Sequence, residues 1–292
     1  MVKVNSTPVI LDGHAVAQGV IKKIKSEINE LRLKNKRMPG LAVILVGENP
    51  ASYTYVKNKE KACIDLGIYS EVHRLPTNIS ESELIKLIET LNNEKNVDGI
   101  LLQLPLPIHI KPEKVTELIS PNKDVDGLHP VNLGKLLAGQ EGLKPCTPLG
   151  VMEILKHYSI NLSGMHAVVI GRSTLVGKPL SILLLAENTT VTIAHSKTED
   201  LEEITRAADI LVSAVGKALL VKKRWVKPDS IIIDVGINKI FENNKSRLVG
   251  DVDFEDVKSL CQAITPVPGG VGPVTIAMLM SNTLKAYKRN KE

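Results

Sequence analysis

Short apolar runs alternate with segments of helical periodicity along almost the whole chain, and this alternation restricts the fold more than any other feature. Leu41-Ala42-Val43-Ile44-Leu45-Val46 is apolar at every position. That is the pattern of a strand buried on both faces of a parallel sheet. Before it, Asp12 stands ahead of apolar residues at Val16, Val20, Ile24, Ile28 and Leu31, the spacing of a capped amphipathic helix. Pro39-Gly40 ends that stretch. After it, Asn49-Pro50 places a capping residue before a proline suited to a first helical turn, and Gly67 closes the helix. Glu71 to Leu75 reads as a short strand, and Ser80-Glu81-Ser82-Glu83 has capping-box spacing. Gly99 to Leu104 is a third strand, running into Pro105-Leu106-Pro107. The order β-α-β-α-β implies a parallel sheet with right-handed crossovers.

A second α/β series begins around Pro145-Cys146-Thr147-Pro148. Thr147 is read as the cap of a helix carrying Val151, Ile154 and Leu155. Ala167 to Ile170 is a strand, followed by a glycine-bearing loop and a helix through Leu185. Further strands are expected at Val191–Ala194, Ile210–Ala214 and Ile231–Val235, a succession with mononucleotide-binding character. Pro273 to Arg289 reads as a closing helix with apolar residues at Ile276, Leu279, Met280, Leu284 and Tyr287. At about 150 residues per domain, 292 residues make two domains.

Composition removes several classes. Aromatic residues are 3% of the chain, so the core rests on Ile, Leu, Val and Ala, and little is available to stack on bases. The net charge of +5 is spread along the chain apart from Lys222-Lys223-Arg224 and Lys288-Arg289. This reads as a solvated surface, compatible with a polyanionic small ligand, and not as a nucleic-acid footprint. No apolar stretch approaches the ~18 residues of a membrane span. Met1 to Pro8 lacks the apolar run of a signal peptide, so a cytoplasmic protein is expected. Cys63, Cys146 and Cys261 are far apart, with no Cys-x-x-Cys, which indicates neither a zinc site nor a disulfide framework.

Five constellations bear on chemistry. Gly171-Arg172-Ser173-Thr174-Leu175-Val176-Gly177 lies between a strand and a helix, where backbone amides and a helix N-terminus meet phosphate. It is not a regular G-x-G-x-x-G, because Ser173 replaces the middle glycine and Gly177 falls one place late. An NAD site places an acidic residue about 20 positions on, for the ribose 2′-hydroxyl. Val191 to Ser196 contains none and ends in His195-Ser196. With Arg172 in the loop, NADP is the expected cofactor; His195 is equally readable as a strand-end histidine satisfied by backbone. Tyr55 and Lys59 share a helix face, and a partly desolvated lysine is usable as an acid or base near neutrality. Tyr53, Lys57 and Lys61 show that this spacing alone also describes a solvated surface. Gln103 sits at the carboxyl end of a buried strand, where parallel sheets bind ligands, or else bonds to the loop that follows. In Lys123-Asp124-Val125-Asp126-Gly127, one Asp gripping a ring with adjacent N–H donors is favoured over a metal pair, which lacks a third acidic ligand nearby. Thr265 to Pro273 holds three glycines and three prolines in nine residues, a stiff loop with bare amides that can approach a planar ligand.

Together these segments resemble one family, the bifunctional methylenetetrahydrofolate dehydrogenase/methenyltetrahydrofolate cyclohydrolases of the FolD type. The matching stretches are Asn49-Pro50-Ala51-Ser52 through Tyr55 and Lys59, Gly99 to Pro107, Lys123 to Gly127, Pro145 to Pro148, Gly171-Arg172-Ser173 to Gly177, Asp234-Val235-Gly236-Ile237-Asn238 and Pro268 to Pro273. They span nearly the whole chain in the family's order. Val274, where the family often has Met, is a small departure. The resemblance implies an α/β protein of two domains with a cleft between them, the C-terminal one a Rossmann-type dinucleotide-binding domain, and a homodimer. Residues 1–147 would form the folate-binding catalytic domain and 148–273 the NADP domain, with the helix 274–292 packed back on the first. It implies Lys59 as the central catalytic residue, Tyr55 stacked beside the folate, Gln103 orienting Lys59 and Asp126 holding the pterin. Pro268, Gly269 and Gly270 would line the folate side. Gly171, Arg172, Ser173, Ser196 and the Ile237 backbone would hold NADP. Tetrahydrofolate derivatives would be the substrates, in one-carbon metabolism serving purine biosynthesis. The alternatives are a monofunctional dehydrogenase of the same family and a non-catalytic NADP-binding regulator.

Overall fold

The computed structural model describes residues 7–242 and 245–290. Most of the N-terminal stretch read for a leader, and the last two positions of the segment 274–292, lie outside the described residues. In chain order the elements are β1 (Val9–Ile10), α1 (Gly13–Leu33), β2 (Gly40–Val46), α2 (Pro50–Leu66), β3 (Tyr69–Leu75), α3 (Glu81–Asn93), β4 (Gly99–Leu102), α4 (Pro112–Thr116), α5 (Pro130–Leu137), α6 (Cys146–His157), β5 (His166–Ile170), α7 (Gly177–Ala186), β6 (Thr190–Ala194), α8 (Leu201–Arg206), β7 (Ile210–Ser213), β8 (Ile231–Asp234), β9 (Asn238–Glu242), β10 (Lys245–Val249), α9 (Phe254–Val257), β11 (Ala263–Ile264) and α10 (Val271–Arg289). They divide into two compact units. One joins Gln18–Cys146 with Ile276–Glu292; the other joins Thr147–Thr275 with the segment ending at Ala17.

The first unit is built on a parallel three-stranded sheet in the order β3-β2-β4. Val43 pairs with Val72 on one side and Leu101 on the other. Ala42, Ile44, Val46, Ile100 and Leu102 lie in one core cluster with Leu84, Ile88 and Leu91 of α3. Their opposite-pointing neighbours Leu41, Val43, Leu45 and Leu101 are also buried, as the unbroken apolar run requires. α3 starts as its sequence dictates: Ser80 Oγ accepts from the Glu83 amide, and the Glu83 carboxylate accepts from the Ser80 amide. Two bonds extend the sheet toward its functional edge. The Gln103 amide donates to Ile44 O at 2.9 Å, and the Ile100 amide donates to Lys123 O at 2.7 Å. The second lays the Lys123–Gly127 loop alongside β4.

The second unit has a parallel six-stranded sheet in the order β1-β11-β8-β7-β5-β6. The chain leaves β5 for β6 on one side and returns to β7 on the other. This reversal makes a topological switch point between the carboxyl ends of β5 and β7, where open α/β sheets bind ligands. The core under it collects Val168, Ile170, Leu211, Ile232 and Ile264 with Trp225 and Val257.

Several expectations need adjusting. The sequence split at 147 keeps all earlier residues together, whereas the segment ending at Ala17 groups with the six-stranded unit. There β1 pairs in parallel with β11, Val9 opposite Ala263 and Ile10 opposite Ile264, and the Gly13 amide donates to Gly269 O at 2.8 Å. Two residues are too few to carry a strand periodicity. The described residues from Ile276 on group with Gln18–Cys146, tied there by Asn282 to Val125 O and Lys144 O at 2.8 and 2.9 Å. α6 already begins at Cys146, so Thr147 lies inside its first turn and is not the cap. The hairpin β9–β10, antiparallel from Val249↔Asn238 to Lys245↔Glu242, was also not foreseen.

Candidate active site

α2 is anchored at its start by Asn49, whose Oδ1 accepts from the Ser52 amide at 3.2 Å. One turn apart on it, Tyr55 and Lys59 are both partly buried, while Tyr53, Lys57 and Lys61 are exposed. Lys59 Nζ donates to Gln103 Oε1 at 2.9 Å. Gln103 Nε2 donates to Leu104 O at 2.7 Å, which fixes the amide with its oxygen toward the lysine. Burial lowers the Lys59 pKa, opposed by the charge of Asp126. Burial raises the Asp126 carboxyl, opposed by Lys59 and by a hydrogen bond from the Cys146 thiol. Burial and the Asp126 charge push that thiol far up, so it stays protonated. The Tyr55 phenol is raised by burial as well. Lys59, Gln103, Asp126 and Cys146 thus form one cluster beside a tyrosine, at the carboxyl end of β4.

The two aspartates of the Lys123–Gly127 loop serve different partners. Asp124 accepts from the amides of Leu128 and His129 at 3.1 and 2.8 Å and from Asn132 Nδ2 at 2.8 Å, bracing the entry to α5. Burial pushes its pKa up to about 6. Asp126 is left for the lysine. Cys146 was not singled out in the sequence. Its place beside Asp126 depends on Asn282, far along the chain, whose Nδ2 donates to Val125 O and to Lys144 O.

In the other unit, Gly171 ends β5 with φ +126°, and a Cβ there would lie 2.5 Å from Ala214 O at the end of β7. A Cβ on Gly177 would collide with Gly171 O. Both glycines are therefore demanded by close backbone approach, despite the irregular spacing. Ser173 Oγ accepts from the Val176 amide at 3.1 Å, and Arg172 and Ser173 face solvent at the switch point. On the neighbouring strand end, His195 is held within its own turn: its amide donates to Thr198 Oγ1 at 2.8 Å and its Nδ1 accepts from the Lys197 amide at 3.2 Å. That is the satisfied-histidine reading, and it leaves Ser196 exposed beside the end of β5. Ile237 is exposed and reaches to 3.7 Å from where a Gly272 Cβ would stand. The Pro268–Gly270 turn, with Gly269 at φ +103°, packs on the start of α1, where a Cβ on Gly13 would collide with Gly270 O. The structure thus gathers Tyr55, Lys59, Gln103 and Asp126 in one unit, and Gly171, Arg172, Ser173, Ser196, Ile237 and Pro268–Gly270 in the other.

Two family models cover these two halves. The catalytic domain of tetrahydrofolate dehydrogenase/cyclohydrolase matches residues 11–126, and the NAD(P)-binding domain of the same enzymes matches residues 145–291. The chain belongs to the tetrahydrofolate dehydrogenase/cyclohydrolase family. Among its relatives, the bifunctional protein FolD of Nitratiruptor sp. is 53% identical over 97% of this chain and 99% of its own length. The FolD crystal structure from Campylobacter jejuni is 50% identical, with a TM-score of 0.92 over 97% of this chain and 99% of that one. The Trypanosoma brucei FolD, solved with NADP cofactor and an inhibitor, is 40% identical, with a TM-score of 0.94 over 98% and 99%. The family's two-domain arrangement, with a Rossmann-type NAD(P)-binding half, is the fold described above.

Proposed function

We propose that this protein oxidises 5,10-methylenetetrahydrofolate with NADP and hydrolyses the resulting 5,10-methenyl cation to 10-formyltetrahydrofolate. The observation that carries this reading is the Lys59–Gln103 hydrogen bond beside Asp126, in a chain related at about half of its positions to bifunctional FolD proteins. A cofactor with a 2′-phosphate fits the donor set: Arg172, Ser173 and Ser196 stand exposed at adjacent strand ends, and Val191–Ser196 has no carboxylate to repel it. When bound, NADP supplies the hydride acceptor. Gly171 and Gly177 keep the phosphate loop tight against β7, and the Ile237 backbone and Pro268–Gly270 present amides to flat rings.

The hydrolysis is the work of this chain's own side chains. Water attacks the methenyl carbon and forms a C–O bond. Lys59, with its ammonium destabilised by burial, takes a proton from that water. The carbon–N5 bond then breaks, N5 gains a proton, and the oxygen becomes the formyl carbonyl. Of the two water protons, one ends on N5 and the other leaves. Gln103 aims Lys59, Asp126 holds the pterin by its ring N–H groups, and Tyr55 stacks beside it. The same reading includes a cytoplasmic homodimer whose formyl product serves purine biosynthesis.

Lys59→Met tests the assignment. The expected result is loss of cyclohydrolase turnover by about a hundredfold or more, with NADP affinity retained. Unchanged cyclohydrolase turnover rejects Lys59. Lasting methenyl absorbance in the wild type would instead identify a dehydrogenase alone.

A further inference from the structure

Asp251 is fully buried, and its carboxylate gathers five donors. Oδ2 accepts from the amides of Val215 and Gly216 at 2.8 and 3.2 Å and from Ser213 Oγ at 3.2 Å. Oδ1 accepts from the Lys217 amide at 2.8 Å and from Asn238 Nδ2 at 3.0 Å. Three consecutive amides turned onto one carboxylate form the concavity that backbone uses to hold an anion. Here the anion belongs to the protein.

The two segments so held flank the dinucleotide crevice. Val215–Lys217 follows β7 at the switch point, directly after Ala214, whose carbonyl abuts Gly171. Asn238 follows Ile237 and opens the β9–β10 hairpin. A second carboxylate fixes Asp251 in turn. Asp234 Oδ1 accepts from the amides of Gly236 and Asp251 at 2.9 and 3.0 Å, and Oδ2 from the Val252 amide at 2.8 Å. The packing is reciprocal: a Cβ on Gly236 would collide with the Asp251 carboxylate, and one on Gly250 with that of Asp234. Asp234-Val235-Gly236 and Gly250-Asp251 are thus two halves of one clasp.

We infer that Asp251 is the positioning residue of the cofactor site, holding the Val215–Lys217 loop and the Ile237–Asn238 turn at the spacing that NADP requires. This rests on the NADP reading proposed above and deepens it. Hydrolysis of the methenyl cation consumes no nicotinamide, so the second activity is an internal control. Asp251→Asn turns an amide N–H₂ toward donors on one side of the clasp, leaving them unmatched. The expected result is a NADP Kd, by isothermal titration calorimetry, at least tenfold weaker, with cyclohydrolase turnover on preformed methenyltetrahydrofolate within twofold of wild type. Asn238→Ala removes a single arm without a buried mismatch; it is expected to weaken NADP by about threefold or more and to spare hydrolysis. It decides the matter if Asp251→Asn does not fold. NADP affinity equal to wild type in the folded variants, or a parallel fall of both activities, overturns the inference. A wild type that fails to bind NADP overturns the cofactor reading instead; one that binds it without reducing it leaves the positioning role standing.

Discussion

Lys59 is held between opposed influences: burial favours its neutral form, while Asp126 favours the charged one. Removing the Asp126 charge leaves burial less opposed, so Asp126→Asn should lower the Lys59 pKa further. The pH profile of cyclohydrolase kcat at saturating substrate should then move its inflection to lower pH, alongside a raised KM. An inflection that stays in place, or moves to higher pH, would mean that another group titrates in that step. The sequence showed the residue types but not their selection. Tyr53, Lys57 and Lys61 repeat the Tyr/Lys spacing on the same helix and differ only in facing water. Gln103 became the partner of Lys59 through strand order, which sets β4 beside β2. Cys146 was beyond reach because its place depends on Asn282, a contact 136 residues along the chain that no local pattern encodes.

Elements were legible where a segment is long enough for its period to register. The doubly buried β2, the capping box of α3 and the helix closing at Gly67, with its φ of +74°, all follow from local chemistry. β1 and β11 were not legible, since two residues hold no period. The phosphate loop lies between these extremes: its motif is irregular, but its glycines are imposed by contact. Gly171 carries both a left-handed φ and a backbone oxygen 2.5 Å from its missing Cβ. Gly171→Ala should therefore destabilise by about 1–3 kcal/mol and weaken NADP, as β5 and β7 are forced apart at the switch point. Thermal melts with and without NADP read both effects. An unchanged Tm would show that the loop relaxes without strain.

At the scale of the whole molecule, each unit buries a carboxyl that resists ionisation. Burial pushes Asp124 up to about 6 in the three-stranded unit. Burial first, and the Asp251 charge with it, pushes Asp234 up to about 7 in the six-stranded unit, against the pull of three backbone amides. Both lie above the 3.8 of an ordinary aspartate. From pH 4 to 7 the folded chain thus holds protons that the unfolded chain has released, and stability falls as pH rises through that window. Below it the sign reverses, because Asp209, which accepts from the His166 amide and Lys227, and Asp253, which accepts from Lys222, are depressed and lose their contribution when protonated. Urea unfolding should therefore show greatest stability near pH 4 and a decline to pH 7, and carboxyl NMR should place the Asp234 midpoint near 7. Stability that rises from pH 4 to 7 would contradict this. It would mean that Asp234 is ionised throughout, so that its three amide bonds outweigh the cost of burying its charge.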